Sequence, residues 1–234
     1  MNEHFPSPEN NFEQSKIKEG VDLLFEIKPE LGAIGTKEQY SSYIESIFPA
    51  SKVKEILWHT SNVDFEHFDV SKSGSGTYGT GIYFDKELRG EDAPFKYPAV
   101  VDLENPLEIS HKTFKDKEEL DRIFDVAYDF LDVQRELKKE EVSEEEKGNI
   151  IIDILFGATT QNLSEYKNNF PSLEGINSIE EYIRKIKVLT GKDGVIQHRD
   201  SDFETVQEYI VFDQSQIHIL GSKSDKEKFK EFVG

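Results

Sequence analysis

The sequence predicts an α+β domain: two small, mostly antiparallel sheets packed around a cleft, with helices at the N-terminus and in a block between about 110 and 190. Three observations predict it. Short runs rich in β-branched and aromatic residues fall on both sides of a long helical stretch, at 55–109 and 193–220. These runs do not alternate regularly with helices, which argues against a doubly wound parallel sheet. The chain has 234 residues, enough for one domain to bury a core without disulfide or metal staples, and its 17 Phe and 9 Tyr offset a modest 36% hydrophobic content.

Residues 1–15 are polar and rich in Pro and Asn, and are expected to be flexible. Residues 16–234 are expected to form a single domain. A weak helix is read from Ile17 to Ile27. A stronger one starts at Thr36, which makes a capping box with Gln39; Tyr40, Tyr43, Ile44, Ile47 and Phe48 share its apolar face, and Pro49 stops it. Strands are expected at 55–59, 81–85, 98–103, 106–109, 194–198, 207–213 and 216–220. Asn105-Pro106 and Asp213-Gln214-Ser215 read as breaks between strands.

Between 109 and 193 the period becomes helical. Leu120, Ile123, Phe124, Ala127, Phe130 and Leu131 form one stripe, and the apolar run Ile150–Phe156 is read as helix. The acidic run Glu136–Lys147 reads as a solvated helix end or an exposed connection. Ser178 and Glu181 make a second capping box ahead of Ile179, Tyr182, Ile183, Ile186 and Leu189, and Gly191 is the C-terminal stop. The block is an insertion within one domain, because strands before and after it belong to one sheet system.

The net charge is −19, from 47 acidic and 28 basic residues. Such a chain repels phosphate backbones overall, so a broad duplex-DNA groove is not expected. Solubility is the plain reading of the charge; attraction to a basic protein target is the functional one. With no cysteine, disulfides and thiolate metal sites are excluded. His4, His67, His111, His198 and His218 lack the short spacings of metal ligands, so no metal is expected. No stretch approaches the ~20 apolar residues of a membrane span, and Met1–Asn11 shows no signal pattern. The expected location is cytoplasmic. Gly74, Gly76, Gly79 and Gly81 do not have the spacing of a dinucleotide fingerprint, and there is no Walker loop or Gly-x-Ser-x-Gly element.

Three segments carry the candidate chemistry: Ile56-Leu57-Trp58-His59-Thr60-Ser61, Gly79-Thr80-Gly81-Ile82-Tyr83-Phe84, and Gln207-Glu208-Tyr209-Ile210-Val211-Phe212-Asp213 with Gln216-Ile217. Each sets one polar or aromatic side chain beside a run suited to burial: His59, Tyr83 and Glu208. Taken singly they have ordinary readings: a structural histidine, a packing tyrosine and a strand-edge glutamate. Lys72, Lys86 and Arg89 are cations that could balance a bound pyrophosphate, and the ordinary reading of each is a surface residue.

In order, and with Asn105-Pro106-Leu107 and Asp193-Gly194-Val195-Ile196 between them, these segments resemble the His-Tyr-Glu group of ADP-ribosyltransferases, which includes diphtheria toxin and the poly(ADP-ribose) polymerases. The helix from Thr36 leading through Ser51-Lys52-Val53-Lys54 into the histidine strand looks like the ADP-ribosyltransferase domain of bacterial polyvalent proteins, found on phages and conjugative elements. The resemblance runs from about Thr36 to Leu220. It implies two sheets split around an NAD cleft and transfer of ADP-ribose from NAD to a macromolecule with release of nicotinamide. For a mobile-element effector, the cytoplasm would be that of a host cell.

By this resemblance Glu208 is the catalytic carboxylate that bonds the nicotinamide ribose, His59 bonds the adenine-side ribose, and Tyr83 stacks on nicotinamide. Gly81 lets backbone approach the ligand, and Tyr97 is the candidate for a second ring. The family places Gly and then Ser or Thr after the histidine; here Thr60 and Ser61 stand there, so the Thr60 backbone must make the carboxamide contacts. The arginine-specific branch carries Glu or Gln two residues before the catalytic Glu, where this chain has Val206. Mono-ADP-ribosylation of a protein is therefore expected, with arginine a less expected target and a nucleic acid a less expected acceptor. An NAD glycohydrolase and a non-catalytic NAD-binding module are the alternatives.

Overall fold

Eight strands build two sheets in the computed structural model, which describes residues 17–72, 81–89, 92–110, 113–130, 142–152, 163–164, 175–198 and 206–234. Strands β1 (Leu57–Ser61), β3 (Phe95–Val101) and β8 (Ile217–Ile219) form an antiparallel sheet in the order β1-β3-β8. Strands β2 (Ile82–Phe84), β4 (Leu107–Ser110), β5 (Thr113–Phe114), β6 (Gly194–His198) and β7 (Val206–Val211) form a second sheet, in the order β2-β7-β6-β4-β5. Its β4–β6 pair is parallel and its other pairs are antiparallel. The expected α+β class, with two small and mostly antiparallel sheets, is what the chain adopts.

The three-stranded sheet carries the terminal helices. These are α1 (Val21–Ile27) and α2 (Lys37–Ile47), together with a C-terminal helix that will be called α6 (Lys223–Val233). Helix α2 starts as expected: Thr36 Oγ1 accepts from Gln39 N at 3.2 Å, and Gln39 Oε1 accepts from Thr36 N at 2.8 Å. Its Tyr40, Tyr43 and Ile44 pack with Trp58, Val100, Leu220 and Phe229 in one apolar cluster. The weak N-terminal helix is shorter than expected, since it begins at Val21.

Helix α6 was not expected. Its signals are Ser222, which accepts from Asp225 N at 3.1 Å, and a single fully buried Phe229. One buried ring among lysines and glutamates makes no clear stripe.

β3 starts at Phe95, three residues before the expected 98, with Pro98 inside it. Pro98 lies opposite Trp58 on one side, and on the other its carbonyl accepts from Leu220 N at 2.8 Å, where β8 has already ended. Pro98 thus lies at the end of the β8 ladder, where its missing N–H forfeits at most one terminal bond.

The helical block lies between β5 and β6 and packs on the larger core. Helix α3 (Lys117–Phe130) buries Leu120, Ile123, Phe124 and Ala127 along the expected stripe; the Phe130 side chain and Leu131 lie outside the described residues. Helix α4 (Glu144–Ile151) begins in the acidic run with a capping box from Ser143 and Glu146, and takes in Ile150 and Ile151. The rest of the 150–156 run, beyond 152, lies outside the described residues, as do residues 1–16.

Helix α5 (Ile179–Thr190) has only half of its expected box. Ser178 accepts from Glu181 N at 3.3 Å, but the Glu181 carboxylate accepts from Asn177 N at 2.7 Å, one residue earlier. Gly191 ends the helix at φ 71°, where a side chain would be strained.

The chain returns from the block to the same sheet through a polar lock. Asp193 Oδ2 accepts from Glu104 N at 2.7 Å and Asn105 N at 2.9 Å, and Asn105 Nδ2 donates to Gly191 O at 2.8 Å. Buried Lys192 pairs with Glu119 of α3. The motifs Asn105-Pro106 and Asp193-Gly194 are therefore two halves of one junction. A Cβ on Gly194 would stand 2.5 Å from Leu103 and 2.6 Å from the Ile210 carbonyl. This junction holds β6 in register beside β7, the strand of Glu208.

Candidate active site

The two sheets touch through one backbone bridge. Trp58 N donates to Asp85 O at 2.8 Å, and Asp85 N donates to Trp58 O at 2.9 Å. Backbone polar groups alternate sides along a strand. Thr60, two residues beyond Trp58, therefore turns its N–H and C=O to this same edge, away from β3. Tyr83, two residues before Asp85, turns its carbonyl toward β1. Among the described residues no further pairing joins the two strands. They part beyond the bridge, and the His59 imidazole enters the gap, with Nδ1 donating to Tyr83 O at 2.8 Å.

A cavity of about 490 Å³ opens at this split, lined among others by His59, Ser61, Phe65, Phe68, Gly81 and Tyr83. That volume is within the ~300–1,000 Å³ of ordinary small-molecule sites. Rings wall it: His59 lies 5.1 Å from Phe68 and 6.0 Å from Phe65, centroid to centroid.

The bond to a carbonyl fixes the tautomer of His59. Nδ1 carries the proton, and Nε2 is left as an acceptor suited to a hydroxyl. Burial lowers the His59 pKa below its ordinary value, against the opposing effects of the Tyr83 carbonyl and the Asp85 charge, so the neutral ring is favoured.

Thr60 takes the position its neighbours dictate. Leu57 belongs to the core of the larger sheet, and Trp58 to the cluster beneath the terminal helices. By alternation His59 and Ser61 face with Leu57, and Thr60 faces with Trp58. The Thr60 side chain thus points away from the cavity while its backbone groups face the split. The Cβ that distinguishes it from glycine does not occupy the site.

Gly81 lines the cavity, and it serves a second contact besides the one expected of it. A Cβ there would stand 2.3 Å from Ile210 Cγ2, so the glycine allows β2 to approach β7. Tyr97 differs from expectation. Its ring is stacked on Phe65 at 3.9 Å and 10°, and its hydroxyl accepts from Phe65 N at 2.8 Å and donates to Asp64 at 3.0 Å. Tyr97 braces the 64–65 segment and faces a neighbouring cavity of about 480 Å³. The ring presented to the candidate site at this point is Phe65.

Glu208 lies on β7, next to β2. The register pairs Tyr83 with Ile210 and Phe84 with Tyr209. One step further sets Asp85 opposite Glu208, and alternation places Tyr83, Asp85, Glu208 and Ile210 on one face. Glu208 is half-buried and does not line the 490 Å³ cavity. The structure thus brings Tyr83 and Glu208 to a single sheet face and ties His59 to Tyr83 at the split, with the carboxylate one strand away from the cavity wall.

Asp85, which the sequence did not single out, and Arg89, one of the cations it did, lie beside Glu208. Asp85 stands two residues after Tyr83, so the period of the strand could have found it. Arg89 pairs with Asp85, Nη1 to Oδ1, at 3.3 Å, without the alignment of a hydrogen bond. Burial raises the Glu208 pKa above its ordinary value; the Asp85 charge adds to the rise and Arg89 opposes it. Burial likewise raises Asp85, with Arg89 opposing, Glu87 adding and His59 opposing. The Asp85 charge nearby thus makes Glu208 easier to protonate.

Of the other cations, Lys72 lines the cavity and pairs with Asp69 at 3.3 Å, while Lys86 is exposed. Among the described residues no group of His, Asp and Glu is placed to hold a metal, and no helix is long and apolar enough to cross a membrane. No protein-family model matches the chain, and no curated protein or solved structure is significantly similar to it.

Proposed function

We propose that this chain is a mono-ADP-ribosyltransferase that uses NAD as substrate and passes ADP-ribose to a macromolecular acceptor, with protein favoured. The observation that supports the reading is that His59 bonds the Tyr83 carbonyl where the two sheets part, while the pairing of β2 with β7 puts Tyr83 and Glu208, far apart in sequence, on one sheet face with the carboxylate one strand from the cavity. His59 Nε2 would accept from a ribose hydroxyl. The Thr60 backbone edge supplies one donor and one acceptor, the complement of a carboxamide. The Tyr83 and Phe65 rings would flank the nicotinamide. No metal is required for this chemistry.

In the reaction the bond from ribose C1′ to the nicotinamide nitrogen breaks, and its electron pair leaves on neutral nicotinamide. Glu208 stabilises the positive charge that develops on the ribose, an electrostatic effect that counts most where water is partly excluded. The acceptor supplies the electron pair for the new bond to C1′. Its proton passes to a carboxylate whose raised pKa suits it to receive one. Glu208 is half-exposed, so water can also reach it, and NAD hydrolysis is the second reading on that ground. The role of a mobile-element effector in a host cytoplasm rests on the sequence resemblance alone.

The test is incubation with NAD labelled in its adenylate half, with and without bacterial lysate. Transfer predicts nicotinamide release and a label that protease removes from the macromolecular fraction. Free ADP-ribose without such label would favour the hydrolase, and no nicotinamide release would overturn both readings.

A further inference from the structure

We propose that the second cavity, of about 480 Å³ beside the candidate active site, binds a small phosphate monoester through Lys28, Lys96 and Lys223. This site is independent of the transferase reading.

Three elements bring the lysines to one place. Alternation along β3 sets Lys96 on the face of Pro98 and Val100, the face that the terminal helices cover. β8 pairs only with Ala99, Val100 and Val101, so the sheet is left open beside Lys96. Lys28 follows α1 and lays its stem over Gly221: a Cβ on that glycine, whose φ is 71°, would stand 2.7 Å from Lys28 Cγ. Lys223 is the first residue of α6, after the Ser222 cap. Lys28 and Lys96 are half-buried and Lys223 is exposed.

The arrangement is costly as it stands. Like charges around one cavity repel, and cations are disfavoured at a helix N-terminus. Among the described residues none of the three is in an ion pair, whereas Lys37, Lys147, Lys192 and Lys226 each hold a carboxylate. Asp225, in the first turn of α6, is fully buried and taken by Tyr40, His218 and Gly221. Asp64 accepts from Tyr97 Oη. Glu66 and Glu227 also line the cavity, but both are exposed to water, which screens them. In a chain of net charge −19, an anion is the group that relieves this local excess of cations.

The other wall sets the class of ligand. Phe65 and Tyr97, stacked at 3.9 Å, belong with the larger core and offer an aromatic surface to the cavity. Ammonium groups suit a phosphate as point charges, and the rings suit an apolar ester group. The volume is that of an ordinary small-molecule site. Asp64, Phe65 and His67 line both cavities, but the three lysines line only this one, and Lys72 lines only the other.

The test is calorimetric titration of the full chain with phenyl phosphate and, separately, with inorganic phosphate, at low salt and without NAD. Phenyl phosphate should bind at one saturable site, more tightly than inorganic phosphate. Lys96→Gln should weaken it about tenfold, and the more exposed Lys223→Gln less. Glu227→Gln removes an opposing charge and should tighten it, while Lys72→Gln should leave it unchanged. A melting curve checks that each variant is folded.

Absence of saturable binding would overturn the proposal. So would a loss in Lys72→Gln with Lys96→Gln and Lys223→Gln unchanged, which would put the anion in the other cavity. Equal losses in all three lysine variants would mean binding to net charge alone, and equal affinity for the two phosphates would rule out the ester. None of these outcomes bears on nicotinamide release, which tests the transferase reading separately.

Discussion

Asp225 and Glu208 are both carboxylates drawn into the protein, and the two sheets treat them in opposite ways. Beneath the terminal helices, Asp225 is fully buried and surrounded by donors. Tyr40 Oη donates to it at 2.5 Å, His218 Nε2 at 2.7 Å and Gly221 N at 2.7 Å. Tyr40 and Tyr43 are pushed well above the usual tyrosine range, chiefly by burial and then by the Asp225 charge, so their hydroxyls stay protonated and able to donate. This satisfied network ties α2, β8 and α6 together. At the β2–β7 edge, Glu208 is half-buried beside a second carboxylate and one loosely aligned arginine. The first arrangement stabilises the fold. The second costs stability at neutral pH and leaves charge available to a ligand, the pattern that makes it a candidate functional site.

The contrast can be broken at either end. The largest effect on stability is expected from Asp225→Ala. It strands the Tyr40 hydroxyl and the Gly221 amide in the interior, and should cost about 3 kcal/mol or more in chemical denaturation. Tyr40→Phe removes one donor from the same network and should cost about 1–3 kcal/mol. Tyr83→Ala should act on the ligand instead, weakening NAD binding roughly tenfold in a titration through lost stacking.

The smallest effect carries the most informative sign. A carboxyl whose folded pKa is raised contributes stability below its unfolded pKa, and loses it as pH rises through the folded value. Glu208→Gln should therefore melt higher than wild type at about pH 7, and the two curves should converge below about pH 4. Asp225→Ala should melt lower at both. A lower melting temperature for Glu208→Gln at neutral pH would contradict the contrast.

Much of this was legible in the sequence. The Thr36–Gln39 box, the stripe through Leu120, Ile123, Phe124 and Ala127, and the Gly191 stop are local signals, and the fold keeps them. His59, Tyr83 and Glu208 were visible because each breaks an apolar run. Partnerships that depend on register were not visible. Asp85 reads as the polar end of a short strand until β2 is set beside β7. Tyr97 reads as a free ring until Phe65 is found stacked on it. Asp225 sits in a helix too charged to show a stripe, and its importance comes from partners contributed by Tyr40, far away in the chain. Gly81 was read as making room for a ligand and does line the cavity; that it also makes room for Ile210 appears only once β2 is set beside β7.

The central claim is that Glu208 serves chemistry and not folding, and nicotinamide release by Glu208→Gln tests it most directly. Size and hydrogen-bonding capacity are kept while the charge is lost, so turnover should fall on the order of 100-fold or more. NAD affinity should change only a few-fold, since the charge matters most as the ribose becomes cationic. Turnover equal to that of an active wild type would contradict the account and assign the reaction to another carboxylate, with Asp85 the first to be examined.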